Sequence, residues 1–299
     1  MLYPEARVAV ERAGSEPPVS TPGYDLGAHR AAARAAAAAQ PREEVAEVAD
    51  LDAGGVPVRV YRPAEDRAGR GGVVLHLHGG GFVFNDVEVH DGAARRLANR
   101  TGSAVVSVDY RLAPEHPFPA AVDDVDAVLA WLDTDGAGAG LTGPLLAHGD
   151  SAGANLALVA ALRHPGRFAA QALIYPFLDP TRALPSHATE TAGFVPEDVA
   201  WYWEQYAGGD PSRFEDPDLA PLLHTSYAGL PPTLVATAEH DPLCSEGEEL
   251  ASRMAGDGVH VVATRHLGQV HGFWRHDDAF PAAEPLMLQV ASFWDLVRR

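Results

Sequence analysis

The segment Leu145-Leu146-Ala147-His148-Gly149-Asp150-Ser151-Ala152-Gly153 decides the fold of this chain. A short apolar run ends in the pattern G-x-S-x-G, and a stretch rich in Ala, Leu and Val follows it. This order is typical of a buried strand, a sharp turn that exposes a serine, and a helix. Gly149 and Gly153 lack side chains, so the strand and the helix can approach closely there. The segment predicts that Ser151 is a nucleophile at the turn.

A second motif, His78-Gly79-Gly80-Gly81-Phe82, follows the predicted strand Val73–Leu77. A glycine-rich loop of this kind can aim backbone N–H groups at a negatively charged oxygen. A nucleophile and an oxyanion hole are complementary parts of acyl-transfer chemistry. We expect His78 to anchor the loop. The predicted donors are the N–H groups of Gly80, Gly81 and Ala152, with Gly79 as an alternative to one of the two loop glycines.

Strand and helix patterns alternate along most of the chain, which predicts a mostly parallel sheet with helices on both faces. Together with the two motifs, this alternation predicts an α/β-hydrolase fold with eight strands. The predicted strands are Val45–Leu51, Val56–Tyr61, Val73–Leu77, Ala104–Val108, Leu145–Ala147, Ala170–Tyr175, Thr233–Ala238 and Val259–Ala263.

Two segments break the alternation and predict a helical cap over the carboxyl ends of the strands, where open α/β sheets bind ligands. Residues 1–43 hold an Ala-rich helix and no strand, and residues 179–228 form a strand-free insertion. We therefore divide the chain into 1–43 (N-terminal part of the cap), 44–178 (first part of the core), 179–228 (cap insertion) and 229–299 (second part of the core).

A serine needs a base, and the base needs an acid that orients it. In this fold the chain order is serine, acid, histidine. Four histidines lie after the start of the last predicted strand, Val259–Ala263. Of these, His271 lies in a loop that could reach the serine. His266 is the main alternative and His276 a weaker one, whereas His260 falls within the strand pattern.

Asp241 is the predicted acid because it follows the strand Thr233–Ala238, and catalytic groups project from the carboxyl ends of such strands. Asp179, which follows Ala170–Tyr175, is the alternative acid. A structural interpretation of Asp241 also stands, because an aspartate here can cap the helix predicted from Ser245.

Five aromatic residues are candidates for the walls of the substrate pocket, although aromatic residues at helical spacing are more often core. They are Phe82, Phe194, Trp201, Trp203 and Tyr206.

The composition excludes several classes of function. The net charge of −19 argues against nucleic acid and anionic membrane surfaces as partners, and it weakly disfavours highly anionic substrates. Lysine is absent, which excludes a Lys Schiff base, a Ser-Lys dyad and a Walker A site. No metal-ligand cluster or dinucleotide motif occurs in the sequence, so we expect no cofactor and no metal.

The single cysteine, Cys244, cannot form an internal disulfide. No signal-peptide pattern and no apolar stretch of membrane-spanning length is present. We therefore expect a cytoplasmic protein without membrane contact.

The motifs together resemble the hormone-sensitive-lipase-like bacterial esterases of the α/β-hydrolase superfamily. The matching stretches are HGGGF at 78–82, DYRLAPEHPFPAAVDD at 109–124, GDSAGAN at 149–155, AEHDPL around Asp241 and GQVHGF around His271. The resemblance implies Ser151 as nucleophile, Asp241 as acid and His271 in preference to His266 as base. It implies the oxyanion hole described above and a cap formed by the N-terminus and the insertion. A homodimer through an exposed sheet edge, common in the family, is compatible with it.

Two departures from the family pattern concern the substrate pocket. The acidic pair that usually follows DPL is reduced to one acid in Cys244-Ser245-Glu246, and the first 43 residues match little. We predict a serine carboxylesterase that acts on small-molecule esters with short to medium acyl chains. The alternatives are a lyase or acyltransferase on this fold, or a non-catalytic small-molecule binding protein.

Overall fold

One sheet runs through the molecule, and every strand predicted from the sequence contributes to it. The computed structural model describes residues 1–64 and 71–298; residues 65–70 and Arg299, which belong to the predicted core segments, lie outside them. In chain order the strands are β1 (Glu47–Ala53), β2 (Val56–Arg62), β3 (Val73–Leu77), β4 (Ala104–Val108), β5 (Leu145–Asp150), β6 (Ala170–Ile174), β7 (Thr233–His240) and β8 (Val261–Val270).

The strand order is β1-β2-β4-β3-β5-β6-β7-β8. Strand β2 pairs antiparallel with both β1 and β4, and all other neighbours are parallel. The parallel strands β3, β5 and β6 are buried along their whole length, because helices cover both of their faces. The predicted α/β-hydrolase architecture is therefore confirmed.

The helices are α1 (Pro4–Ala13), α2 (Leu26–Ala38), α3 (Asp91–Thr101), α4 (Ala120–Thr134), α5 (Ala152–Arg163), α6 (Ser186–Thr189), α7 (Pro196–Tyr206), α8 (Cys244–Gly256) and α9 (Ala283–Val297). Helices α4, α5 and α8 pack on one face of the sheet, and α3 and α9 pack on the other. Among the described residues, no helix combines the length and apolar character that a membrane crossing requires.

The N-terminal segment divides into two parts that pack in different places. Helix α1 lies against the end of β8, where the Tyr3 N–H donates to the Gly268 carbonyl at 3.1 Å. Helix α2 lies over the loop that follows HGGGF, and the Arg30 guanidinium donates to the carbonyls of Val83 and Ala113, at 2.9 Å each. The region before α2 and the helix α7 pack on the same small apolar cluster, which includes Phe84.

Among the elements that differ from the prediction, β8 and α1 are the most informative. Strand β8 runs to Val270 instead of ending at Ala263, because this edge strand is half exposed and its apolar pattern fades. Helix α1 was not predicted; it buries only Ala6, so its sequence carries little apolar periodicity.

Candidate active site

Ser151 sits at the junction of β5 and α5 in a strained backbone conformation. Its φ is 54° and its ψ is −120°, a region that a residue with a side chain seldom occupies and that costs about 1–3 kcal/mol. Two hydrogen bonds hold this turn: the Ser151 N–H donates to Ile174 O at 2.9 Å, and the Phe177 N–H donates to Ser151 O at 3.2 Å. The turn therefore presents the Ser151 hydroxyl at the carboxyl edge of the sheet.

The close packing expected of the motif glycines is present at Gly153. A Cβ at this position would overlap the carbonyl oxygen of Leu77 at the end of β3. Helix α5 can therefore approach the sheet only with a glycine here.

His271 follows the last residue of β8, and its ring lies between Ser151 and Asp241. The distance from His271 Nε2 to Ser151 Oγ is 2.9 Å, and that from His271 Nδ1 to Asp241 Oδ2 is 2.7 Å. Since the carboxylate can only accept, the neutral ring donates Nδ1–H to Asp241 and accepts the Ser151 hydroxyl at Nε2. The three predicted side chains thus form one hydrogen-bonded chain.

Asp241 orients His271 and also stabilises the turn before α8, but it does not cap that helix, whose N-cap residue is Leu243. One carboxylate oxygen, Oδ2, faces His271, while Oδ1 accepts the Leu243 N–H at 2.9 Å just before α8. The side chain is fully buried. Its geometry therefore serves both the turn and the orientation of the imidazole.

The alternative residues lie elsewhere. His266 is part of β8 and packs against Phe273, with ring centroids 5.1 Å apart. Burial lowers the pKa of His276 to about 3, so this ring is neutral at physiological pH. Asp179 accepts hydrogen bonds from Thr181 and stabilises the start of the insertion. None of the three contacts the Ser151 hydroxyl.

The HGGGF loop places free N–H groups beside Ser151. Among the described residues, none accepts a hydrogen bond from the N–H of Gly80, Gly81 or Ala152. The Gly79 N–H, by contrast, donates to Asp150 Oδ1 at 2.9 Å, so it is already occupied. Gly81 has a φ of 60°, and a Cβ here would overlap the ring of Tyr202. The predicted donors are thus available, and the alternative Gly79 is not.

His78 anchors this loop, as expected. Its ring stacks on Tyr110 with a centroid distance of 4.2 Å, and the Tyr110 hydroxyl donates to His78 O at 2.6 Å. Burial lowers the pKa of His78, so the ring stays neutral and donates to Gly79 O at 2.9 Å. The anchor connects the loop to the DYRLAPEHP stretch through Tyr110.

A cavity of about 220 Å³ opens above Ser151 and His271. Of the five predicted aromatic residues, Phe194 lines it, and Tyr202 lines it in addition. The prediction was wrong for the other four: Phe82 stacks on Tyr206 at 3.6 Å in the core, Trp203 is 1% exposed, and Trp201 packs on Phe84. Helix α7 directs Tyr202 to the cavity and Trp203 to the core.

Sequence reasoning missed a buried polar cluster around β3 and β5, next to the HGGGF loop. His76 on β3 and His148 on β5 are direct neighbours in register, and their Nδ1 atoms are 3.0 Å apart. Burial lowers the pKa of both rings, that of His148 to about 3. The alternation of strand side chains could have placed His76 and His78 on one face.

Three side chains of this region have the donor types of a metal site. One nitrogen or oxygen from each of His76, His90 and Asp150 lies within 4.8 Å of the others, and all three residues are buried. Asp150 Oδ1 already accepts the Gly79 N–H, and His90 Nδ1 is 3.7 Å from that same oxygen. Through Asp150, this cluster is hydrogen-bonded to the HGGGF loop.

Glu246, the acid retained after DPL, ties the insertion to the core. Its carboxylate accepts the N–H groups of Leu178 and Asp179 and a hydrogen bond from His187 Nε2 at 2.6 Å. Burial raises the pKa of Glu246 to about 7, while the bond to His187 opposes that rise. One carboxylate thus holds the chain where it leaves the sheet after β6.

A family model described as the alpha/beta hydrolase fold matches residues 74–275, which is more than half of the chain. The chain belongs to this family. It is a hormone-sensitive-lipase-like esterase of the α/β-hydrolase superfamily, and the resemblance read from the motifs is confirmed.

Relatives of this esterase include a carboxylic ester hydrolase, LipN, of Mycobacterium tuberculosis. The two are 38% identical over 268 residues, which cover 83% of this chain and 70% of LipN. An ethyl acetate hydrolase of Pseudomonas putida is 34% identical over 79% of this chain and 76% of its own length. The solved structure of an ester-hydrolase from the metagenome of Lake Arreo has 34% identity and a TM-score of 0.89, with 98% of both chains covered.

Proposed function

We propose that this esterase cleaves carboxylic esters with Ser151 as nucleophile, His271 as base and Asp241 as the orienting acid. The chain is a carboxylic ester hydrolase, like the relatives that it matches. The observation that carries it is the pair of hydrogen bonds, 2.9 Å and 2.7 Å long, that connects the three side chains.

The reaction follows from this geometry. His271 Nε2 removes the proton of the Ser151 hydroxyl as the oxygen attacks the ester carbonyl. The imidazolium then gives this proton to the leaving alcohol, and an acyl-enzyme remains. Water, deprotonated by the same nitrogen, hydrolyses the acyl-enzyme and regenerates Ser151. Asp241 holds the Nδ1–H tautomer and stabilises the imidazolium throughout.

We assign the N–H groups of Gly80, Gly81 and Ala152 as the donors that stabilise the negative oxygen of each tetrahedral intermediate. Support comes from their lack of acceptors among residues 1–64 and 71–298. One such donor is worth about 3–4 kcal/mol of transition-state stabilisation. The N-terminus of α5 adds partial positive charge beside Ser151.

We also propose a preference for short to medium acyl chains. The cavity of about 220 Å³ lies below the range of about 300–1,000 Å³ that is typical of drug-sized ligand sites. The Pseudomonas putida relative is named for ethyl acetate, an ester with a two-carbon acyl chain. Both observations favour acyl chains of about two to six carbons.

The division into a core and a cap of residues 1–43 and 179–228 is part of the same proposal. The packing of the region before α2 and of α7 on one cluster supports it. A cytoplasmic location and a homodimer through a sheet edge stay predictions.

The test is turnover of p-nitrophenyl acetate, butyrate, hexanoate and dodecanoate by the wild type and by Ser151→Ala. We expect Ser151→Ala to lose nearly all activity, whereas the matched change Ser226→Ala, on an exposed serine, retains it. Labelling of the wild type by a fluorophosphonate, located at Ser151 by peptide mass, gives an independent readout. Unchanged turnover in Ser151→Ala, or a rate that peaks at dodecanoate, would contradict the nucleophile or the chain-length preference, respectively.

A further inference from the structure

Arg275 is a cationic side chain at the active site that the mechanism does not use. It lies four residues after His271, at the end of the short helix Phe273–Arg275, and lines the cavity above Ser151. It also lines a second cavity of about 260 Å³ beside the first, so it lies where the two meet. Its carbonyl accepts a hydrogen bond from Arg96 Nη2 at 2.9 Å, which fixes its backbone independently of its side chain.

The guanidinium of Arg275 has no partner within residues 1–64 and 71–298, neither an ion pair nor a hydrogen bond. This is unusual in a chain with 41 acidic and 22 basic residues. Among the described residues, most half-buried arginines contact a carboxylate; Arg42 and Arg100, for example, contact two each. A half-buried guanidinium loses part of its hydration, so an unpaired one favours a ligand that replaces the water.

The charge of Arg275 reaches the reacting groups. Burial raises the pKa of both Asp150 and Tyr175, and the Arg275 guanidinium opposes that rise at each of them. Asp150 precedes Ser151 in the chain, and the Tyr175 ring lies 4.6 Å from that of His271. A ligand bound at Ser151 therefore experiences this positive charge.

In the described part of the chain Arg275 has no ion-pair partner in either cavity, although its charge acts on Asp150. Of the residues that the structure describes, Asp150 is the only carboxylate of the lining, and its Oδ1 is engaged by the Gly79 N–H. Burial lowers the pKa of His29, so that ring is neutral. In the adjoining cavity Asp277 pairs with Arg96, and Asp278 is exposed without an ion pair to Arg275.

We propose that Arg275 forms an anion subsite of this active site, and that its substrates include esters that carry a second, ionised carboxylate. This inference rests on the proposed function, because it names a substrate class for the same site. A guanidinium matches a carboxylate with two parallel N–H···O bonds. The net charge of −19 opposes such substrates only weakly, because salt screens charges that lie more than about 8 Å from the ligand.

The test compares matched pairs of esters. p-Nitrophenyl glutarate carries a carboxylate on the acyl side and is matched by neutral p-nitrophenyl pentanoate. The butyryl ester of 4-hydroxybutyrate carries a carboxylate on the alcohol side and is matched by pentyl butyrate, followed by proton release. For at least one pair, we expect Arg275→Gln to lower the charged-to-neutral ratio of kcat/KM by about 10- to 100-fold, the range for a charge-assisted hydrogen bond.

Two controls accompany the ratio. Arg275→Lys keeps the charge and should retain part of the preference. Arg7→Gln removes an exposed arginine of α1 and should leave both ratios unchanged. If Arg275→Gln changes neither ratio by more than twofold, the anion subsite is overturned.

Binding provides a readout without turnover. Titration calorimetry of Ser151→Ala with glutarate should detect binding that weakens at least tenfold in Ser151→Ala/Arg275→Gln and falls with added salt. Equal affinities in the two variants would overturn the subsite. If the wild type hydrolyses none of the four esters while this difference in binding is present, the proposed function fails and the anion subsite stands.

Discussion

The substitution Gly81→Ala tests the oxyanion hole by steric clash. A Cβ at this position would overlap the ring of Tyr202, so the HGGGF loop or helix α7 must move. Because the Gly81 N–H is a proposed oxyanion donor, displacement of the loop takes that donor from the position of the developing negative charge. We expect kcat to fall about 10²- to 10³-fold, which corresponds to the loss of one donor worth about 3–4 kcal/mol.

The backbone strain of this substitution can be separated from the steric clash. Gly81 has a φ of 60°, a conformation that costs an alanine about 1–2 kcal/mol of stability. Gly229 has a φ of 85° and nothing within 4 Å of an added Cβ, so Gly229→Ala carries comparable strain without a clash. We expect Gly81→Ala to lose at least as much stability as Gly229→Ala in urea unfolding, while only Gly81→Ala loses turnover beyond the loss of fold.

A double mutant identifies the clash itself. Tyr202→Ala removes the ring that the new Cβ would meet, so Gly81→Ala/Tyr202→Ala should recover at least tenfold in kcat over Gly81→Ala. The cycle of wild type, both single mutants and the double mutant, assayed with p-nitrophenyl butyrate, gives the coupling energy. If Gly81→Ala has the same kcat as Gly229→Ala, or if the double mutant shows no recovery, the position assigned to this donor is wrong.

Three further predictions address the remaining groups. Asp241→Asn should lower kcat by about 10⁴ because the amide favours the wrong imidazole tautomer; a loss below tenfold in p-nitrophenyl butyrate turnover would argue against Asp241 as the acid. Burial raises the pKa of Glu246 to about 7 from an ordinary value of 4.5, so the folded state holds a proton that the unfolded state releases in this interval. This group then makes the free energy of unfolding fall as the pH rises from about 5 to 7, and urea titrations of Glu246→Gln should lack that slope, an equal slope being the contrary result. Treatment with a strong chelator should leave turnover unchanged, because Asp150 of the buried histidine cluster already accepts a hydrogen bond from Gly79; activity that is lost and then restored by Zn²⁺ would instead assign a metal to His76, His90 and Asp150.

Much of the fold could be predicted from local pattern. The buried parallel strands have continuous apolar runs, and the helices between them have helical periodicity, so both kinds of element appear in the sequence. The pattern weakens where an element is half exposed. Strand β8 was therefore predicted too short, and helix α1 was missed.

Part of the candidate site could also be predicted from local pattern, and part of it could not. Motifs with rigid local geometry, around Ser151 and in HGGGF, identify residues whose role depends on the backbone beside them. The aromatic residues of α7 carry no such constraint. A single helix presents Tyr202 to the cavity and Trp203 to the core, and composition does not distinguish the two faces.

The sequence by itself determined the α/β-hydrolase fold, the predicted nucleophile and the loop of free N–H groups, because these depend on neighbours in the chain. Only the tertiary structure decided that His271 rather than His266 reaches Ser151, that Asp150 occupies the Gly79 N–H, and that Arg275 lies beside the site without a partner among the described residues. Those facts depend on which residues, distant in sequence, the packing of the sheet and helices brings within a few ångströms of each other.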